Sequence, residues 1–260
     1  AVALATLLAI RIPRPPGSTE RVKARSSLVA EALEGWRYIR ERPGLLSILG
    51  LFAGINFAQG FVMVLLPPLV LSFASPAALG TVMSVAGLGL VGGGLLMGIT
   101  GGPRRRISAI LLCVLVQGLI LFLGGVQPSV PLVAVAAFVY SLCTPVIFAL
   151  SSSIWQTKVE PKIQGRVFAM RRLVAASLSP LAFLAAGPLA DYVFEPLLAP
   201  GGALAGSLGR LIGVGEGRGI GLLFILLGCS LLVFLAVAAS YPRLRNLERE
   251  VPDALPDDDE

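Results

Sequence analysis

The chain has 260 residues, of which 55% are hydrophobic and only 14% charged, with a formal net charge of +6. A soluble globular domain carries roughly 25% charged residues, and here the apolar residues gather in blocks of about 20, the length that crosses a bilayer. The basic residues lie in short gaps between those blocks, which excludes a nucleic-acid-binding face. Histidine is absent, removing the commonest general base and metal ligand.

In chain order, residues 1–10 are apolar but too short to span and have no basic segment before them. They read as the end of a truncated transmembrane helix rather than a signal peptide. Residues 11–44 read as a cytoplasmic linker. Within it Leu28, Ala32, Trp36 and Ile39 recur at helical spacing, with Glu34, Arg37, Arg40 and Glu41 on other faces and Pro43-Gly44 as a stop. This amphipathic helix either lies in the membrane interface or packs on the helical bundle. Six apolar blocks follow, at 45–66, 77–99, 107–126, 130–154, 173–194 and 220–241, so residues 45–241 form a bundle of six membrane-spanning helices. Residues 242–260 form an acidic cytoplasmic tail ending in Asp257, Asp258, Asp259 and Glu260.

Orientation follows from lysine and arginine, because short basic loops stay on the cytoplasmic side. Of the 21 basic residues, only Arg210 and Arg218 fall on one side of the six blocks; the other nineteen fall on the opposite side. Both ends of the six-helix unit are therefore expected to be cytoplasmic.

Charges inside a span would mark a coupling site, and none lies near mid-depth. Arg171 and Arg172 stand at the inner end of the fifth block, where they can reach the interface, and Asp191 near its outer end. Uncharged polar residues are more informative. Asn56 and Gln59 share one face of the first block, Gln117 lies midway along the third, and Tyr140 and Thr144 are four apart in the fourth. Together they can line a substrate-binding cavity or hold helices together by hydrogen bonds. The second block is dense in glycine, and Gly94 with Gly98 matches the small-xxx-small packing pattern. Pro145, Pro180 and Pro188 add bends. Cys113, Cys143 and Cys229 are far apart in sequence and read as packing residues, with no disulfide or metal-ligand spacing. Residues 195–219 form a glycine-rich outer loop with a short surface helix around Leu204, Leu208, Leu211 and Ile212. Its glycine run follows no strand and lacks the phosphate-binding lysine, so no nucleotide site is expected. Neither a metal nor a cofactor is expected.

Three segments carry a family resemblance. They are Glu34-Gly35-Trp36-Arg37-Tyr38-Ile39 with Pro43-Gly44, the basic loop Gly101-Gly102-Pro103-Arg104-Arg105-Arg106, and Gly165-Arg166-Val167-Phe168 leading to Pro180, Gly187 and Asp191. In this order they resemble the C-terminal six-helix half of the major facilitator superfamily, in the macrolide-efflux and enterobactin-exporter-like branch. The resemblance implies an all-α membrane protein, the second half of a twelve-helix fold, whose partner is a missing N-terminal six-helix half. It further implies a multi-pass protein of the plasma (inner) membrane that exports a small molecule, drug-like, macrolide or siderophore-type, coupled to protons. Arg104, Arg105, Arg106, Arg166 and Asp191 would then serve the cytoplasmic loops or gating. The family pattern places an acid in the loop after the second helix of a half, where this chain has Thr100 and Gly101. A membrane enzyme is disfavoured by the missing histidine and intramembrane acids, and a non-transporting module that assembles with a partner is the alternative.

Overall fold

The computed structural model describes residues 28–240; the proposed helix end at 1–10, the first part of the linker and the tail at 242–260 lie outside them. Helix α1 spans Leu28–Glu41. Arg42 breaks the helix in an extended conformation, and Pro43 then starts α2, Pro43–Leu71, since proline is pre-set for a first helical turn. There follow α3, Pro76–Thr100, α4, Arg106–Val126, α5, Val130–Lys158, and α6, Gln164–Leu189. A π-helical turn, Ala190–Phe194, carries the rod into a single turn α7, Glu195–Leu198. After another short turn, α8, Gly209–Ile212, comes α9, Arg218–Ser240.

Six of these helices have the length and apolarity to cross a membrane, as the six blocks predict. Some run past their blocks, α2 at both ends and α5 at its C-terminal end: each of these two has 29 residues, about 43 Å at 1.5 Å per residue, against a hydrocarbon core of roughly 30 Å. Local signals set the ends. The Ser75 hydroxyl accepts from the Ala78 amide at 3.3 Å and Pro76 opens α3, whereas Gly101, at φ 65°, closes it in the left-handed conformation that favours glycine.

Packing runs as an arc. α3 lies along α5, α5 beside α4, α4 along α9, α9 beside α2, and α2 along α6. Lipid is as apolar as the side chains it would replace, so close backbone approach and van der Waals fit decide these contacts. A Cβ at Gly89 or Gly93 of α3 would run into the carbonyls of Phe138 and Leu142 on α5. Gly118 and Gly125 of α4 similarly meet Gly228 and Gly221 of α9. The expected Gly94 and Gly98 pair does not make the contact inside this chain, because both face open space. Sequence spacing identifies a small-residue helix but not which of its faces is occupied.

α1 packs on the start of α6. Gly35 lies on the Arg166 carbonyl, where a Cβ would come within 2.6 Å, and Ile39 is fully buried while Arg37 and Arg40 are exposed. At the far end the Glu195 carboxylate accepts from the Gly217 and Ile220 amides, both at 3.2 Å, capping α9. Arg218 is 5% exposed and donates to the Ile212 carbonyl at 2.9 Å. The surface helix expected around Leu204 to Ile212 is therefore reduced to one turn, and the loop is held by a buried arginine and a capping glutamate.

Replacing Gly93 by alanine should separate α3 from α5 and destabilise the purified chain by about 1–3 kcal/mol. Gly94→Ala should stay within about 0.5 kcal/mol of the parent. Thermal denaturation in one detergent compares the two.

Candidate functional site

The arc leaves a cavity of about 390 Å³ between α2 and α5, with α3, α4 and α9 completing its walls. That volume falls within the range of small-molecule sites. Its polar side chains are Gln59, Tyr140 and Ser141, set among apolar groups such as Met63, Met83 and Phe224, and no charged side chain lines it. Two helix-interior prolines add backbone polarity. Pro67 removes the donor that the Met63 carbonyl would otherwise meet, and Pro145 does the same to Ser141; Met63 and Ser141 both line the cavity.

A second, narrow void of about 10 Å³ is lined by Ile55, Asn56, Gln59, Gln117, Thr144, Ile147 and Phe148. That is room for about one water. Gln59 borders both spaces, so the five expected substrate residues converge on one region. Four of them line the narrow void and Tyr140 the main cavity.

Hydrogen bonding gives these residues unequal freedom. Gln117 is 1% exposed and its Nε2 donates to the Tyr140 carbonyl at 3.1 Å and to Thr144 Oγ1 at 3.2 Å. The Thr144 hydroxyl donates to the same carbonyl at 3.0 Å, leaving its lone pairs for Gln117. A carbonyl can only accept, so the amide orientation is fixed and Oε1 is turned away from it. Among the described residues, Gln117 Oε1 and the Tyr140 hydroxyl are buried with no hydrogen-bond partner, an unfavourable state for polar atoms in a low-dielectric interior. Asn56 instead donates to the Phe52 carbonyl of its own helix at 2.8 Å.

The expected loop residues divide between the two ends of the bundle. Arg104 and Arg105 are exposed. Arg106 donates to Thr157 Oγ1 at 3.2 Å, tying the start of α4 to the end of α5, and Arg166 pairs with Glu34 at 2.7 Å, tying α6 to α1. Asp191 is exposed in the π-helical turn at the opposite end. Sequence reasoning missed the contribution of α3, whose Met83, Ala86, Gly87 and Leu90 form a cavity wall. Such residues carry no polar signal in a membrane helix. It also placed Arg171 at the interface, whereas the side chain turns inward to Ser151 of α5. Cys113 and Cys143, distant in sequence, meet across α4 and α5.

Gln117→Leu removes both cross-helix bonds and should lower stability by roughly 0.6–1.7 kcal/mol. Asn56→Leu, which loses only a bond within its own helix, should cost less. Denaturation midpoints of the two variants check the order.

Residues 1–184 match the family described as Major Facilitator Superfamily. Macrolide efflux protein A of Streptococcus pyogenes is 23% identical over 74% of this chain and 48% of its own length. Macrolide efflux protein A of Enterococcus faecalis is 24% identical over 69% of this chain and 56% of its own. The multidrug efflux pump Tap of Mycolicibacterium fortuitum is 25% identical over 94% of this chain and 54% of its own. The chain thus spans about half the length of the curated relatives it matches. No solved structure matches it. A match over residues 1–184 of a 260-residue chain, on an all-helical fold with six membrane-length helices, means that the chain belongs to the major facilitator superfamily.

Proposed function

We propose that this chain is the second six-helix half of a secondary active exporter of drug-like molecules, and that the α2–α5 cavity is its part of the substrate site. The observation that carries this reading is the cavity itself. Apolar walls carry the neutral hydrogen-bonding side chains Gln59, Tyr140 and Ser141, and in the narrow void that shares Gln59 lies Gln117; among the described residues Gln117 Oε1 and the Tyr140 hydroxyl are buried with no hydrogen-bond partner. Such a surface suits a lipophilic molecule with a few hydrogen-bonding groups, and favours a macrolide-type or similar compound over a charged siderophore. The names of the three relatives point the same way.

A seam on α3 supports a partner half. Gly80, Ser84, Gly87, Val91, Gly94 and Gly98 are all exposed, and their alternating spacing of four and three places them on one helical face. Small residues at this spacing admit the backbone of a neighbouring helix. Gly87 also lines the cavity, so a helix seated on the seam would supply a further wall. The basic end of the bundle faces the cytoplasm of the plasma (inner) membrane, by the retention of basic loops. Neither cavity is lined by an acid; in this reading export is coupled to protons and the proton carrier sits in the partner half. The protein is a transporter and not an enzyme.

Inverted vesicles holding the intact transporter, with an imposed pH gradient and a panel of lipophilic compounds, test the function. At least one compound should move and discharge the gradient; if none does, proton-coupled export is wrong. Gln59→Leu should weaken apparent affinity about tenfold, the equivalent of 1.4 kcal/mol for one lost hydrogen bond. The double change of Asn56 and Gln59 to leucine should add little to that, and unchanged transport in the double variant would assign both residues to packing. Gly94→Leu should leave this chain's stability unchanged while disrupting the intact transporter, as read by thermal stability of the two.

A further inference from the structure

Arg171 is a charged side chain in a membrane-spanning helix that plays no part in the cavity described above. It lies seven residues into α6 from Gln164, about 10 Å along the axis at 1.5 Å per residue. Instead of reaching out to the interface, its Nη2 donates to Ser151 Oγ on α5 at 2.9 Å, and Ser151 is fully buried. The guanidinium carbon is 5.6 Å from the ring centre of Phe52 on α2 and 5.6 Å from that of Trp155 on α5. Both distances are within reach of a cation–π attraction, which strengthens away from water. One side chain of α6 therefore holds together α2 and α5, the two helices that the cavity separates.

Phe52 connects this contact to the cavity floor. Its ring meets Phe148 edge-on, with centroids 6.3 Å apart, and Phe148 lines the narrow void with Asn56, Gln117 and Thr144. Its carbonyl accepts from Asn56. Towards the basic end lies the apolar cluster that contains Ile48, Ile154 and the fully buried Trp155. Polar floor, aromatic pair and arginine thus follow one another from the cavity to the basic end.

We propose that Arg171 is the positioning residue that holds the cavity closed towards the basic end, and that transport requires it to release Ser151. This rests on the reading of the α2–α5 cavity as the transported molecule's site. The choice of partners fits a contact that must both form and break. Among the described residues no carboxylate is hydrogen-bonded to Arg171. One neutral hydroxyl and two ring faces hold the cation without the lasting desolvated ion pair that a buried acid would make. Releasing them leaves the Phe52–Phe148 contact as the aromatic link between α2 and α5 at this level.

The test uses the intact transporter in inverted vesicles, with Cys113, Cys143 and Cys229 replaced by alanine. Ser141→Cys is the reporter, since it lines the main cavity and stands outside the arginine contact. A membrane-impermeant maleimide is supplied from the basic side. With Arg171 present labelling should be slow. Arg171→Gln and Ser151→Ala should each speed it about tenfold, the population change expected from losing one hydrogen bond to a charged group. Arg171→Lys, which keeps a cation and a donor, should label close to the parent rate. Parent rates in both Arg171→Gln and Ser151→Ala overturn the proposal, as does labelling of Arg171→Lys as fast as that of Arg171→Gln. If Arg171→Gln does not reach the membrane, Ser151→Ala, which deletes a single oxygen, decides alone. The readout needs no transported compound. Fast labelling in the variants with no compound protecting Ser141→Cys would count against the substrate reading only.

Discussion

A bilayer offers no water to backbone amides and no hydrophobic gain for pressing one apolar helix on another. The first condition makes the chain helical throughout its spans, because each peptide group must find its partner within its own helix. The second gives the arrangement to the few places where backbones can touch. Gly89 and Gly93 seat α3 on α5, and the facing glycines of α4 and α9 seat those two together. No glycine of α2 seats that helix on α5, and the cavity lies between the two.

That gap governs the rest of the molecule. Its walls are apolar, so the neutral polar groups at its floor become the features that can give a bound molecule an orientation. Gln117 illustrates the division of labour. Its amide nitrogen binds α4 to α5 through the Tyr140 carbonyl and Thr144, while its oxygen has no hydrogen-bond partner among the described residues. Structural and binding readings of such a residue need not compete, because one amide has two ends. Beneath the floor, towards the basic end, the Phe52 ring meets both Phe148 and the Arg171 guanidinium.

Much of this was legible in the sequence because the relevant signals are local or periodic. Apolar blocks of bilayer length gave the six spans, and proline and glycine at helix ends gave several boundaries. Asn56, Gln59, Gln117, Tyr140 and Thr144 stood out because polar side chains are scarce in such blocks, and the fold does gather them. What was not legible depends on which face of a helix meets which neighbour. Gly89 and Gly93 look no different from Gly94 and Gly98 in sequence, yet only the first two touch α5. Arg171 looked like a residue reaching for headgroups because its partners Ser151 and Phe52 are 20 and more than 100 positions away. The capping of α9 by Glu195 joins residues 22 and 25 positions apart, beyond the reach of any capping motif.

In the proposed function, the space between α2 and α5 receives the transported molecule. A photoactivatable lipophilic compound that the intact transporter moves tests it most directly, with adducts located by mass spectrometry after irradiation. Adducts are expected on cavity residues such as Met63, Met83 and Phe224, suppressed by excess unlabelled compound. Adducts confined to exposed outer positions such as Leu184 of α6 and Val237 of α9, and insensitive to competition, would contradict it.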